Sequence, residues 1–324
     1  MKSIYIIIIF TLFACTNRNE YAERSKKEFT ILSDSIESIM PGKLLVYADY
    51  IIWTDPFTIE EHVHILDKVT GKEISKIVKI GEGPEEFITP SVEYAQNNRL
   101  FVFDLNLEKV AYYPLDNIFS SNIQFTRLEN QGETRYFELT EGQLLSFNPS
   151  LEKPFKWNNK YWGKLAFDQS IKNNESVSQG NVLYNPYSKY IVYSCMSYPY
   201  LSLYQMKNDE IVFISEKKRD FDYNIVKGEL KIDRKRRGAA EMALTSDYII
   251  TLERDYKTDD TDESTVGRDF NKLPHTIFLY DYSLNLKKIL DLGIPLLRLA
   301  ADPKNNTLYA IGVDPDFILI KCDL

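Results

Sequence analysis

One theme recurs along the chain: a short apolar run, a polar turn, a second run, a variable loop, and a third run ending near a Tyr or Asp. Residues 92–115 read VEYAQNNRLFVFDLNLEKVAYYPL, and residues 182–206 read VLYNPYSKYIVYSCMSYPYLSLYQM. Residues 242–284 open with MALTSDYIITLERDY and, after a long insert, close with HTIFLYDYSL; residues 297–324 read LRLAADPKNNTLYAIGVDPDFILIKCDL. The first two runs of each window are joined by QNN, NPYSK, TSD or DPKNN, which are rich in turn formers. The runs are too short for helices and full of Val, Ile, Tyr and Phe, which fit a pleated, half-buried surface. The aromatic supply is large, with 22 Tyr and 18 Phe in 324 residues, and long amphipathic helical stretches are absent. Evenly spaced short strands with turn signals predict an all-β sandwich, barrel or propeller.

The repeat selects the propeller. A fourth strand follows in most windows, as KKILDLG at 287–293, and four antiparallel strands make one blade. Two further windows, 44–80 and 136–168, fit less regularly, the central region least. Six units of roughly 40–50 residues fill the length, a usual period for such modules. The last unit ends after its third strand at Leu324, while FTILSD at 29–34 is an orphan strand at the other end. Pairing them completes the last blade and removes exposed edges. The expectation is a six-bladed β-propeller over residues 29–324, its last blade closed by the N-terminal strand.

The chain begins MKSIYIIIIFTLFAC. One basic residue and a short apolar run are built like a secretory leader and are shorter than the ~20 apolar residues that span a bilayer. Cys15 follows a small residue, with Leu12 three positions before it, which resembles the lipobox of bacterial lipoproteins. That resemblance implies a signal peptide over 1–14, lipidation at Cys15, and a cell-envelope address, lipid-anchored, outer membrane, with the periplasmic or surface side open. Residues 15–28 are polar without an apolar period, and read as a tether.

The whole mature chain also resembles the TolB-like six-bladed propellers of Gram-negative lipoproteins. The residues that carry this are the lipobox, Gly81-Glu82-Gly83-Pro84-Glu85-Glu86-Phe87 after the first blade, and the last two blades, DYIITLE at 247–253 and TIFLYDYSLNLKKILDL with LRLAADPKNNTLYAI at 276–311. The resemblance implies the fold and no particular activity.

Charge and motifs exclude more than they assign. With 39 basic and 47 acidic residues, the chain is acidic, which argues against nucleic acid as a partner. GEGPEEF lacks the GK[ST] and following helix of a phosphate loop; it reads as an interblade turn with Phe87 packed between blades. His62 and His64 share a strand face but lack nearby further ligands beyond Glu60 and Glu61, so they read as exposed strand residues rather than a metal pair. The acidic run from Asp255 to Glu263 lacks the alternation of a calcium loop. Cys195 and Cys322 are too few for a disulfide framework, although an exported chain could bridge them. Neither G-x-S-x-G nor H-E-x-x-H occurs. No cofactor or metal is expected.

The inner strand of each blade lines the channel, which makes Glu93, Glu138 and Arg298 candidate channel residues. The basic stretch 219–237 and the acidic stretch 255–269 should emerge on one face. With the loop Tyr198-Pro199-Tyr200 they make a candidate partner-binding face of Tyr198, Tyr200, Arg234, Arg236 and Arg237. The expected role is recognition of a protein, peptide or glycan by a monomer tethered to the membrane through its lipid, since variable loops on a rigid scaffold suit binding. The alternative is a hydrolase or lyase acting on a sugar or peptide at the channel mouth, with an enzymatic role the lesser expectation. A cluster of ionisable side chains from several inner strands would favour chemistry, and an apolar or plugged channel would favour binding.

Overall fold

The computed structural model describes residues 22–117, 123–129, 132–167, 170–232, 237–255 and 269–324. Cys15, Arg234, Arg236 and most of the acidic insert lie outside the described residues. Two strands precede the first blade, β1 (Glu23–Lys26) and β2 (Thr30–Ser33). Blade 1 is β3 (Leu44–Tyr47), β4 (Tyr50–Thr54), β5 (Glu61–Asp67) and β6 (Glu73–Lys79). Blade 2 is β7 (Ser91–Ala95), β8 (Arg99–Asp104), β9 (Lys109–Pro114) and β10 (Phe125–Arg127). Blade 3, in the region where the repeat is least regular, is β11 (Arg135–Thr140), β12 (Gln143–Phe147), β13 (Phe155–Trp157) and β14 (Lys160–Trp162). Blade 4 is β15 (Gly180–Asn185), β16 (Tyr190–Cys195), β17 (Tyr200–Lys207) and β18 (Glu210–Lys218). A separate hairpin follows, β19 (Tyr223–Val226) and β20 (Glu229–Ile232). Blade 5 contains β21 (Glu241–Leu244), β22 (Ile249–Leu252), β23 (Thr276–Tyr280) and β24 (Leu286–Asp291), and blade 6 contains β25 (Leu296–Ala301), β26 (Thr307–Val313) and β27 (Phe317–Asp323).

The ring closes as the sequence predicts. β2 pairs antiparallel with β27, Thr30 opposite Lys321 and Ile31 opposite Ile320, and becomes the outer strand of blade 6. The segment before it does more than expected. β1 lies parallel on β24, Glu23 opposite Lys288 through Lys26 opposite Asp291, so blade 5 has five strands. Part of the predicted tether is therefore a strand, held by backbone hydrogen bonds and by an Arg24–Asp255 ion pair rather than by burial, since all four of its residues are exposed. Polarity alone hid it: an outer edge strand can be polar on both sides.

Alternation explains the apolar runs. Successive side chains point to opposite sheet faces, and each face of a blade packs on a different neighbour. Thus Leu44, Val46 and Ile51 join a cluster with blade 6, while Leu45 and Ile52 join a cluster with blade 2. The six buried apolar clusters each unite two adjacent blades. The seam between blades 3 and 4 is the richest and is aromatic: Phe147 lies 5.3 Å from Phe155 and 5.2 Å from Tyr193, and Phe155 meets Tyr204 edge-on at 5.1 Å. The blade 2–3 seam is thin and adds polar contacts, including Arg99 of blade 2 to Glu138 of blade 3 at 3.5 Å.

The two faces of the ring differ. One carries the turns between first and second and between third and fourth strands. Several are tight, with Asn97, Asn98, Asn158, Asn159, Asn208 and Asp209 at positive φ, a conformation Asn and Asp tolerate best among non-glycine residues. The other face carries the loops that enter each blade and those between second and third strands. There the two loop types are tied together. Asp104 accepts from Ile88 and Thr89 at 2.8 and 2.7 Å, and Asp55 accepts from Ser38 at 3.0 Å. Arg219 pairs with Glu253, so the roots of the two inserts meet on this face.

GEGPEEF is the interblade turn that the sequence suggests. Phe87 is fully buried between blades 1 and 2, and the Lys109 ammonium donates to the carbonyls of Gly83, Pro84 and Glu86 at 3.2, 3.1 and 2.6 Å. A Cβ at Gly81 would meet the Glu86 carboxylate, which would have to turn away. His62 and His64 correct the expectation of exposed residues: both are buried, His62 Nδ1 2.9 Å from the Asp55 carbonyl and His64 Nδ1 2.6 Å from Glu73 while its ring stacks on Trp53. Cys195 and Cys322 are free, buried thiols, and burial pushes Cys195 up to about 11.

Candidate functional site: the central channel

The inner strands enclose a cavity of about 510 Å³, lined by residues of all six blades. Near the loop-bearing face each blade contributes one polar side chain in turn: Lys43, Glu93, Arg135, Asn181, Glu241 and Arg298. Local structure sets each one. Lys43 precedes β3 and is fixed by its N–H to Thr54 Oγ1 at 2.8 Å. Glu241 and Arg135 open β21 and β11. Arg298 follows an irregularity in the β25–β26 register, a device that re-aims a side chain. Its Nε donates to the Gly42 and Pro41 carbonyls at 2.7 and 3.1 Å, and its Nη1 to Glu241 Oε1 at 2.7 Å. Lys43 pairs with Glu93 Oε1 across the blade 1–2 boundary.

Burial dominates the electrostatics of this belt. It pushes the Glu93 and Glu241 carboxyls above the usual range, with Lys43 and Arg298 offsetting part of the effect. It also draws Lys43 below the usual ammonium value, against the pull of Glu93. Shifts of this kind cluster at functional sites, and structural ion-pair networks produce them as well. The opposite end of the channel is aromatic. Tyr47, Tyr94, Tyr184 and Tyr187 line it, Tyr47 and Tyr94 with ring centroids 5.0 Å apart, and Lys304 Nζ lies 5.2 Å over the Tyr187 ring.

Of the channel residues expected from sequence, Glu93 and Arg298 belong to the belt. Glu138 also lines the cavity, but toward its turn-bearing end: its side chain is fully covered, and it accepts from the Gln96 and Gly142 backbone at 2.5 and 2.8 Å, with Arg99 at 3.5 Å. It ties the turn end of blade 2 to blade 3. Lys43, Arg135 and Glu241 were missed. Their common signal is a charge directly ahead of an apolar inner strand, in KLLVY, RYFEL and EMAL.

The partner face expected at Tyr198 and Tyr200 is corrected. Both rings are buried, because the segment after blade 4 folds back over them. Tyr198 stacks on Phe221 at 5.4 Å, and Tyr200 donates to Glu216 at 2.7 Å. Lys218 closes this packing, 4.1 Å over Phe167 and 5.3 Å over Tyr223. Arg237 lines a second cavity of about 630 Å³ beside that segment, with Val177, Met196, Leu230 and Arg254. Among the described residues no group of acidic, His or Cys side chains is placed to hold a metal ion, and no helix is long and apolar enough to cross a membrane.

A closed ring of six sheets, five of four strands and one of five, with a polar-belted channel defines a six-bladed β-propeller. The chain belongs to the DUF5128 family, described as a 6-bladed beta-propeller, whose profile matches residues 32–252. No curated protein matches the sequence. Among solved structures, a Bacteroides fragilis protein described as exported is 13% identical with a TM-score of 0.59, covering 93% of this chain and 98% of that one. The Cps50 (Swd1) propeller domain of Myceliophteria thermophila is 11% identical, TM-score 0.47, covering 91% and 99%. Raptor of Chaetomium thermophilum is 9% identical, TM-score 0.49, covering 92% of this chain and 30% of that one. At these identities the likeness concerns the fold.

Proposed function

We propose that this chain is an exported, lipid-anchored recognition protein of the cell envelope, of the TolB-like kind, which acts as a monomer and binds its ligand in the central channel. The observation that carries the reading is the 510 Å³ channel with five charged side chains from five blades around one end and tyrosines around the other. Polar groups that converge in an otherwise apolar cavity are the usual build of a small-ligand site. The anchor rests on the lipobox-like Leu12 to Cys15. A tagged fatty acid should label the wild type and leave Cys15→Ser unlabelled. For binding, the full chain should capture ligands from a glycan and peptide array, and Leu183→Trp, which fills the channel, should lose them. Retention of every ligand by Leu183→Trp would reject the channel as the site.

One observation favours a second reading, a hydrolase or lyase at the channel mouth: burial raises both Glu93 and Glu241, as proton-transfer catalysts require. Against it, each carboxylate is neutralised by its own cation. Turnover of a captured ligand by wild type and not by Glu93→Gln or Glu241→Gln would establish the enzyme instead.

A further inference from the structure

We propose that the channel ligand is an acidic sugar, one or two polyhydroxylated rings bearing a single carboxylate, and that Arg135 receives that carboxylate. The inference rests on the channel-binding reading and adds the ligand's chemistry. Lys43 is committed to Glu93, and Arg298 to Glu241 and two carbonyls. Arg135 lines the channel with no hydrogen bond or ion pair to any described residue. It is near enough to Lys43, Glu93 and Glu241 to act on their ionisation, so it sits inside the belt rather than out in solvent. A guanidinium offers a planar fork of donors that fits a carboxylate with two parallel hydrogen bonds.

Charge balance sets the valence. Ionised, the belt holds three cations and two carboxylates, so one negative charge neutralises it. A phosphomonoester brings about two charges at neutral pH. The acceptors set the body of the ligand. Glu93 and Glu241 each spend Oε1 on a cation, and neither Oε2 takes a hydrogen bond from a described residue. Acceptors that face the cavity gain from ligand O–H donors, which a sugar supplies in number. A peptide C-terminus carries the carboxylate but few hydroxyls. The tyrosines at the far end offer flat apolar faces with polar tips, suited to a ring with C–H bonds on one side and hydroxyls at its edge.

The test is calorimetry on the full chain in detergent with digalacturonate, the neutral digalactose of the same linkage, and acetyl-phenylalanine. Digalacturonate should bind about tenfold or more tighter than digalactose, the worth of a charge-assisted pair, and acetyl-phenylalanine should bind more weakly than digalacturonate. Arg135→Gln should erase the preference for the charged sugar, by weakening digalacturonate binding far more than digalactose binding, and leave the melting temperature in place. Arg135→Lys should restore part of the preference. The proposal is overturned if wild type binds the two sugars alike, if it takes acetyl-phenylalanine more tightly, if millimolar digalacturonate gives no heat, or if Arg135→Gln keeps the discrimination. Should it fail while array ligands are still lost in Leu183→Trp, the channel-binding reading stands and only the acidic sugar is rejected.

Discussion

The channel belt and the hairpin turns of the opposite face hold carboxylates in different ways. Toward the loop-bearing face, Glu93 and Glu241 meet side-chain cations from neighbouring blades, and burial lifts both carboxyls above their usual range. On the turn-bearing face, carboxylates meet backbone N–H groups. Asp281 accepts from Ser283 and Asn285, both at 2.9 Å, and Asp302 from Lys304 at 2.9 Å. Burial alone would raise these two as well, but the donors outweigh it and hold them below the usual range. Asn285 leads at Asp281, and Lys304 with Lys68 at Asp302. A donor fixed by a hairpin cannot be re-partnered without breaking the turn. A side-chain cation can turn to a ligand. The turn face therefore holds the ring's shape, and the belt holds charge that a guest can reorganise.

The sharpest way to break this comparison is to remove a carboxylate from the turn side. Glu138→Ala should cost about 2–4 kcal/mol in urea denaturation, because Arg99 and two partly or fully exposed backbone donors from different blades lose the one buried acceptor they share. On the belt side, Lys43→Met should cost about 1–3 kcal/mol. It strands Glu93, but a carboxyl already raised by burial can take a proton and neutralise itself, and Lys43 is 32% exposed. The double variant Lys43→Met with Glu93→Leu should recover most of that loss, as paired apolar replacements do. If Lys43→Met costs more than Glu138→Ala, the belt is part of the framework and the distinction falls.

The strand pattern was legible because every blade is packed on both faces, so each strand repeats the same apolar alternation. Closure by Thr30–Ser33 was legible for a related reason: only three strands of the last blade run from Leu296 onward, so the outer edge of FILIKCDL was left to another segment. β1 was not, since Glu23–Lys26 is exposed on every side and pairs through backbone alone. The buried Tyr198 and Tyr200 were misread as a surface loop, because only the return of Phe221 and Tyr223 in the insert shows what covers them. The belt was half legible. Glu93 and Arg298 stand within inner strands, whereas Lys43 lies one residue before its strand and is aimed by a contact to Thr54.

Acid titration tests the comparison by sign. Glu241 has a folded value above its unfolded 4.5. Its contribution is complete below 4.5 and lost as pH rises through the raised folded value. Wild type should thus lose stability through this group on going up from pH 4.5, and Glu241→Gln should not, so the gap between them should shift in favour of the variant as pH rises. Thermal melts across that range read it directly. A gap that moves the other way would mean that Arg298 outweighs burial.

The smallest effect is expected at Asp281. Its folded value is lowered from 3.8, so its contribution is present above 3.8 and lost as pH falls through the lowered value. The side chain is 27% exposed and also meets Lys287 at 3.0 Å, an ion pair that solvent screens to little worth. What remains is the turn: two backbone N–H groups would go from Asp281 to water. Asp281→Ala should therefore cost about 0.5–1 kcal/mol near neutral pH, and the difference from wild type should vanish in melts taken well below 3.8. Asp281→Asn, which keeps an acceptor at the same place, should recover most of it at neutral pH. If Asn recovers nothing, the ion pair with Lys287 rather than the hairpin donors holds this turn, and the turn face works by the same side-chain pairing as the belt.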